Sequence, residues 1–139
     1  MPEQTSQVLV VEDDPVIRKL LVTIAREAGY VTSEVSNGTE ALEMIDQGGY
    51  QLLILDLMLP DLSGQEVLEK LDPERGCSVI IVTAGDDRDL EKIDSRLVCD
   101  VVRKPFDIHH LTAVINRSFD NNPSGEATGM RSRLQLRRT

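Results

Sequence analysis

Short apolar runs recur along the chain, each followed by turn residues and then by a stretch with helical spacing. The first, Val8 to Val11, gives way at once to Glu12, Asp13, Asp14 and Pro15. A proline at the first helical position behind an aspartate cap predicts a helix start, since its missing N–H has no partner to lose there. Ile17, Leu20, Leu21, Ile24 and Ala28 then recur at helical spacing and are expected to face inward, with Gly29 closing the helix. Val31 to Val35 alternates weakly as a second strand. Asn37 with Glu40 resembles a capping box opening a second helix, whose apolar side is Ala41, Leu42 and Ile45 and which Gly48 and Gly49 stop. The third run, Leu52 to Leu55, is unbroken and ends in Asp56, with Pro60 and Gly64 marking a loop before Val67, Leu68 and Leu71 of a third helix that ends near Pro73. A fourth run, Val79 to Val82, delivers Thr83 to its exit. The segment from Asp86 to Leu97 is dense in charge and has only Leu90, Ile93 and Leu97 as anchors, so it predicts the most loosely held helix. A short fifth strand, Val101 and Val102, leads to Arg103, Lys104 and Pro105. Asp107 can cap a last helix with Ile108, Leu111 and Ile115 inward, leaving His109 and His110 on its surface.

Strands alternating with helices predict an α/β domain with one doubly wound parallel sheet, because parallel strands need a helical crossover and both sheet faces are then covered. Full burial explains why the runs are continuous rather than alternating. The chain of 139 residues suits one such domain. Its expected organisation is an N-terminal extension over 1–7, the domain over 8–119, and a linker or basic tail over 120–139, where NNPSGEATG precedes Arg131, Arg133, Arg137 and Arg138.

A net charge of -9 argues against nucleic-acid binding by this chain alone and against anionic membranes. No apolar run approaches the ~20 residues of a membrane span and MPEQTSQ does not read as a signal peptide, so a cytoplasmic protein is expected. The two cysteines, Cys77 and Cys99, lack metal-ligand spacing and read as small, mostly buried hydrophobes.

If all strands run parallel, the exits of four of them bring Glu12 and Asp13, then Asp56, then Thr83, then Lys104 to one edge, where open α/β sheets bind ligands. Clustered carboxylates repel one another unless a positive charge compensates. Hard oxygen ligands without histidine or thiolate suit Mg²⁺. A carboxylate nucleophile beside Mg²⁺, an ammonium and a hydroxyl is equipped for phosphoryl transfer, in which positioning and charge neutralisation do most of the catalysis. Asp56 is then the acceptor, and Glu12 and Asp13 hold the metal.

Together the acidic pair in VLVVEDD, the segment LDLMLPDLSG, the VTA around Thr83 and the KPF beginning at Lys104 resemble the response-regulator receiver domain of two-component signalling. The resemblance covers about Val8 to Phe119. It implies a flavodoxin-like five-stranded sheet of order 2-1-3-4-5 and a phosphohistidine donor on a sensor histidine kinase or a histidine phosphotransfer protein. It also implies a metal site of Asp13, Asp56 and the Met58 backbone carbonyl, with Glu12 acting through water, and a cis Lys104–Pro105 bond. Thr83 would move to the phosphoryl group while an aromatic residue three positions before the lysine swings inward; here that switch position is Val101. A downstream output domain or a homodimer would read the change.

Other functions leave different signatures. A pseudo-receiver that is never phosphorylated would act only as a protein-binding module. An aspartyl phosphatase of the dehalogenase type wants a second acid two residues past its nucleophile, where this chain has Met58. A flavin-binding protein of the same topology would carry a hydroxyl-rich phosphate cradle instead of EDDP.

Overall fold

A computed structural model describes residues 7–72, 77–85, 87–91, 93 and 96–120. Five parallel strands form one sheet in the order β2-β1-β3-β4-β5. The strands are β1 (Gln7–Val11), β2 (Val31–Val35), β3 (Leu52–Leu55), β4 (Ser78–Thr83) and β5 (Val98–Arg103). The helices between and after them are α1 (Pro15–Glu27), α2 (Gly38–Gln47), α3 (Gly64–Glu69), α4 (Asp87–Glu91) and α5 (Ile108–Asp120).

The unbroken apolar runs divide by parity. Val8, Val10, Leu52, Ile54, Ile80, Val82 and Val102 meet Leu21, Ile24 and Ala25 of α1 and Leu111, Val114 and Ile115 of α5. Leu9, Val11, Leu53, Leu55, Val79 and Ile81 meet Ala41 and Ile45 of α2 and Val67 and Leu68 of α3. Each such burial stabilises by roughly 1.5–3 kcal/mol, so a polar residue at either parity inside a strand would be costly. That two-sided burial is why the three inner strands β1, β3 and β4 carry no charged residue, whereas the edge strands β2 and β5 admit Glu34 and Asp100.

Local signals explain the helix ends. Asp14 caps α1 by accepting from the Val16 and Ile17 N–H groups, with Pro15 at the first position. Asn37 accepts from Glu40 N–H at 2.8 Å, while the full reciprocal box lies at Ser63 and Glu66 of α3. Gly29, Gly48 and Gly49 all have positive φ, as expected where helices end.

The structure revises several expectations. Val22 and Ala25 are buried in α1, whereas Ala28 is only half-buried, because the helix stops at Glu27. β5 is longer than the two valines suggested and takes in Val98, Cys99 and Asp100, with a pairing irregularity between Val79 and Ile80 opposite. Polar residues are tolerated there because β5 is an edge strand. Ile108 is 51% exposed, leaving Leu111, Val114 and Ile115 as the inward face of α5. Cys77 is buried, with its thiol pushed up to about 12 by desolvation, but Cys99 is exposed. Leu90, Ile93 and Leu97 do pack against the second core. α3 ends at Glu69 with Lys70 as its C-cap, short of the expected end near Pro73; Pro73 itself and the tail beyond 120 lie outside the described residues.

Gly64 opens α3 against the backbone of the preceding loop. A Cβ there would lie 2.6 Å from Leu57 Cα and 2.7 Å from the Asp56 carbonyl oxygen, neither of which can rotate away. Gly64→Ala is therefore expected to destabilise by about 1–3 kcal/mol, read as a lower urea midpoint. An unchanged midpoint would show that the loop absorbs a methyl group without strain.

Candidate functional site

The sheet delivers its acids to one rim. Val11 and Leu55 form the last paired row of β1 and β3, so Glu12 and Asp56 come next. Their backbones are still held by the neighbouring strands: Glu12 N–H donates to Val35 O at 3.2 Å and Asp56 N–H to Val11 O at 3.1 Å. Glu12 shares the parity of Val10, and Asp56 that of Ile54. Lys104 leaves β5 in the parity of Val102, and its N–H donates to Thr83 O at 3.0 Å. Its ammonium donates to Glu12 Oε1 at 2.8 Å and to Asp56 Oδ2 at 3.0 Å. Glu12 and Asp56 are only 1% and 5% exposed, so the ammonium is their charge partner in a low-dielectric setting. Asp13 stands exposed at the rim, yet carboxylate oxygens of Glu12, Asp13 and Asp56 lie within 4.8 Å of one another.

Backbone groups orient the acids further. Asp14 N–H donates to Glu12 Oε2 at 3.1 Å, and Met58 N–H to Asp56 Oδ1 at 3.1 Å. Burial pushes the Glu12 carboxyl up, against the Lys104 bond and the Asp14 N–H, and the Asp56 charge pushes the same way. Burial pulls the Lys104 ammonium down, but its bonds to Glu12 and Asp56 more than offset this and its pKa is raised. One ammonium thus leaves the acids under-compensated: three carboxylates against one lysine carry a formal charge of -2. An all-oxygen donor set with that residual charge and one exposed member fits a hard divalent cation such as Mg²⁺.

The side chains of the remaining expected site residues are near the rim without a hydrogen bond to this cluster. Thr83 is fully buried at the exit of β4, in the opposite parity, and its hydroxyl accepts from Gly85 N–H at 3.1 Å. The Met58 side chain is 64% exposed on the loop after Asp56. Val101 is half-buried in β5 and packs against the second core. The Lys104–Pro105 bond is cis.

Comparison with known proteins agrees with this geometry. The family model described as "Response regulator receiver domain" matches residues 8–116. The chain belongs to the response-regulator receiver domain family. It is 35% identical over 121 residues to the uncharacterized transcriptional regulatory protein YkoG of Bacillus subtilis, covering 86% of this chain and 53% of that one. It is 32% identical over 130 residues to the sensory transduction protein RegX3 of Mycolicibacterium smegmatis, covering 90% and 57%. The chain therefore spans about half the length of these curated relatives. Among solved structures, a CheY-like receiver domain from Methanospirillum hungatei superposes with a TM-score of 0.80 at 25% identity, covering 88% of this chain and 99% of that one. The response regulator TrrA of Thermotoga maritima, solved in complex with Mg²⁺-BeF, superposes at 0.73 with 32% identity, covering 81% and 98%.

In this receiver domain the loop carrying Asp56 and Met58 is tied down by a residue that the sequence pattern did not single out. Asp61 Oδ1 accepts from Gly38 N–H at 2.8 Å, and Oδ2 accepts from Thr39 N–H at 3.0 Å and from the Thr39 hydroxyl. A carboxylate from one loop thus caps the start of α2 on the other side of the site edge, where the helix dipole favours negative charge. The Thr39 hydroxyl, chiefly, holds the Asp61 carboxyl well below the usual carboxylate range. Nothing local announces this bond, because its partners are 22 and 23 residues away. The Ser63–Glu66 box, likewise not anticipated from the sequence, does by contrast carry a local signal, an S-x-x-E spacing.

A depressed folded pKa gives stability that is present above the unfolded value and is lost as pH falls through the folded one. Asp61→Asn is accordingly expected to lower the melting temperature at neutral pH, with the gap to the parent closing on acidification. Thermal scans across the acid range check this; a gap that widens as pH falls would contradict it.

Proposed function

We propose that Asp56 is the phosphoacceptor of this receiver domain and that Glu12, Asp13 and Asp56, with the Met58 backbone carbonyl, hold Mg²⁺. The observation that carries the reading is the Lys104 ammonium, which bridges two buried carboxylates of a three-acid cluster at 2.8 and 3.0 Å. A carboxylate oxygen of Asp56 attacks the phosphorus of a phosphohistidine, the P–O bond forms as the P–N bond breaks, and the imidazole keeps the electron pair and takes up a proton. A carboxylate needs no general base for this. When bound, Mg²⁺ supplies neutralisation of charge on the transferred group. Lys104 steadies the same charge, and Thr83 exchanges its Gly85 contact for a phosphoryl oxygen. Val101 has no ring to swing, so the aromatic form of the switch is not available to this chain.

The donor in this reading is a sensor histidine kinase or a histidine phosphotransfer protein, which places the domain in the cytoplasm. The domain accepts a group and assists its own phosphorylation and dephosphorylation; it does not turn over a separate substrate. In this reading the chain divides into a receiver unit over 8–119, an extension over 1–7 and a linker or basic tail over 120–139, except at the edges, where β1 reaches back to Gln7 and α5 on to Asp120. The longer relatives support an output partner, either a further domain or a second copy. Among the described residues no helix is long and apolar enough to cross a membrane. Incubation with acetyl phosphate and Mg²⁺ tests the reading: intact mass rises by one phosphoryl group. No mass change under those conditions would instead favour a protein-binding module that is never phosphorylated.

A further inference from the structure

The acidic pair sits on the short turn between β1 and α1, and one side chain holds that turn from outside. Arg18, in the first turns of α1, donates from Nη1 to the Glu12 carbonyl at 2.9 Å and to the Asp13 carbonyl at 3.3 Å. Its Nε donates to Glu34 Oε1 of β2 at 3.1 Å. The guanidinium therefore joins the start of α1, the exit of β1 and strand β2. A planar fork of N–H groups can serve two carbonyls and a carboxylate together, which a single ammonium nitrogen does poorly. The Asp13 carboxylate is exposed and has no side-chain partner among the described residues, so the backbone alone sets where it stands. Whatever holds the carbonyls of Glu12 and Asp13 therefore helps set how far the Asp13 carboxylate stands from that of Glu12, which Lys104 and the Asp14 N–H already hold.

We propose that Arg18, braced by Glu34, is a positioning residue for the cation site, fixing the Glu12–Asp13 turn so that both acids meet Asp56. This rests on the assignment of those acids to Mg²⁺. Charge alone points the other way. A bare guanidinium near the site would repel a divalent cation, so removing it would tighten binding; the Glu34 carboxylate offsets that repulsion in the intact pair.

Titration calorimetry of Mg²⁺ into the parent, Arg18→Ala, Arg18→Lys and Glu34→Gln separates the two roles. It is run beside Mg²⁺ titrations of phosphoryl acceptance from acetyl phosphate. Half-saturating Mg²⁺ is expected to rise about tenfold in Arg18→Ala, the scale on which groups that orient metal ligands act. Arg18→Lys and Glu34→Gln are expected to weaken binding less, and they carry the test should Arg18→Ala fail to fold. Acceptance at saturating Mg²⁺ stays within about twofold of the parent, because the reacting groups are untouched. Unchanged or tighter Mg²⁺ binding in the Arg18 variants overturns the proposal. A parent that binds no Mg²⁺ while all variants fold normally would remove the cation assignment itself, a result distinguishable from failure of the brace.

Discussion

Asp56→Asn is expected to take up no phosphoryl group from acetyl phosphate and Mg²⁺, a loss of roughly 10³-fold or more, while the parent gains one. An amide oxygen is a poor nucleophile, and no other carboxylate in the cluster has the same surroundings. Glu12 is pinned by Lys104 and Asp14 N–H, and Asp13 stands at the exposed rim. The fold should survive, since asparagine fills almost the same volume and its single amide oxygen can accept from either Met58 N–H or Lys104, which keeps its bond to Glu12. Removing one negative charge from a cluster with a formal -2 also relieves repulsion, so the variant should melt no lower than the parent without Mg²⁺ and should gain less from adding it. Intact mass and paired melting curves check both parts. Acceptance at the parent rate would mean that the phosphoryl group lands elsewhere.

Lys104→Ala should have the second largest effect. It removes the cation from two buried carboxylates, and breaking such a pair from one side costs about 3–5 kcal/mol when fully buried. The lower end is expected here, because the Lys104 side chain is 18% exposed and water can reach the gap. The pH dependence has a definite sign. Burial already pushes the Glu12 carboxyl up, and without the ammonium it rises further. A raised folded pKa contributes stability that is present below the unfolded value and is lost as pH rises through the folded one. The deficit of the variant should therefore be largest at neutral pH and shrink in mild acid, as Glu12 takes up a proton. Added Mg²⁺ should restore part of it, and phosphoryl acceptance should slow in parallel. Urea unfolding at two pH values, with and without Mg²⁺, reads these effects. A deficit that grows on acidification would show that the lysine stabilises by packing its stem rather than by compensating charge.

Much of the architecture was legible because its causes are local. Unbroken apolar runs reported two-sided burial, Pro15 behind Asp14 marked the start of α1, and Gly29, Gly48 and Gly49 marked helix ends. The misread positions share a different cause. Val22 and Ala25, not Ala28, complete the α1 face because the helix ends one residue before Ala28. Ile108 looked like an inward residue by spacing but is half out in solvent, at the first position of α5. β5 was underestimated because an edge strand admits Asp100 and Cys99, which apolar patterning counts as loop. In each case the deciding factor is which face a neighbour covers.

The same division runs through the functional rim. The order of residue types along the chain determined a parallel α/β domain whose acids, hydroxyl and lysine leave successive strands at one edge, since strand polarity and side-chain alternation follow from local spacing alone. Tertiary structure alone decided which of those groups touch. It placed the Lys104 ammonium between Glu12 and Asp56, turned Thr83 toward Gly85, gave Asp61 of LDLMLPDLSG a partner in α2, and recruited Arg18 from outside the recognisable segments. Contacts between residues up to 92 positions apart depend on register and crossover geometry, which no window of sequence contains.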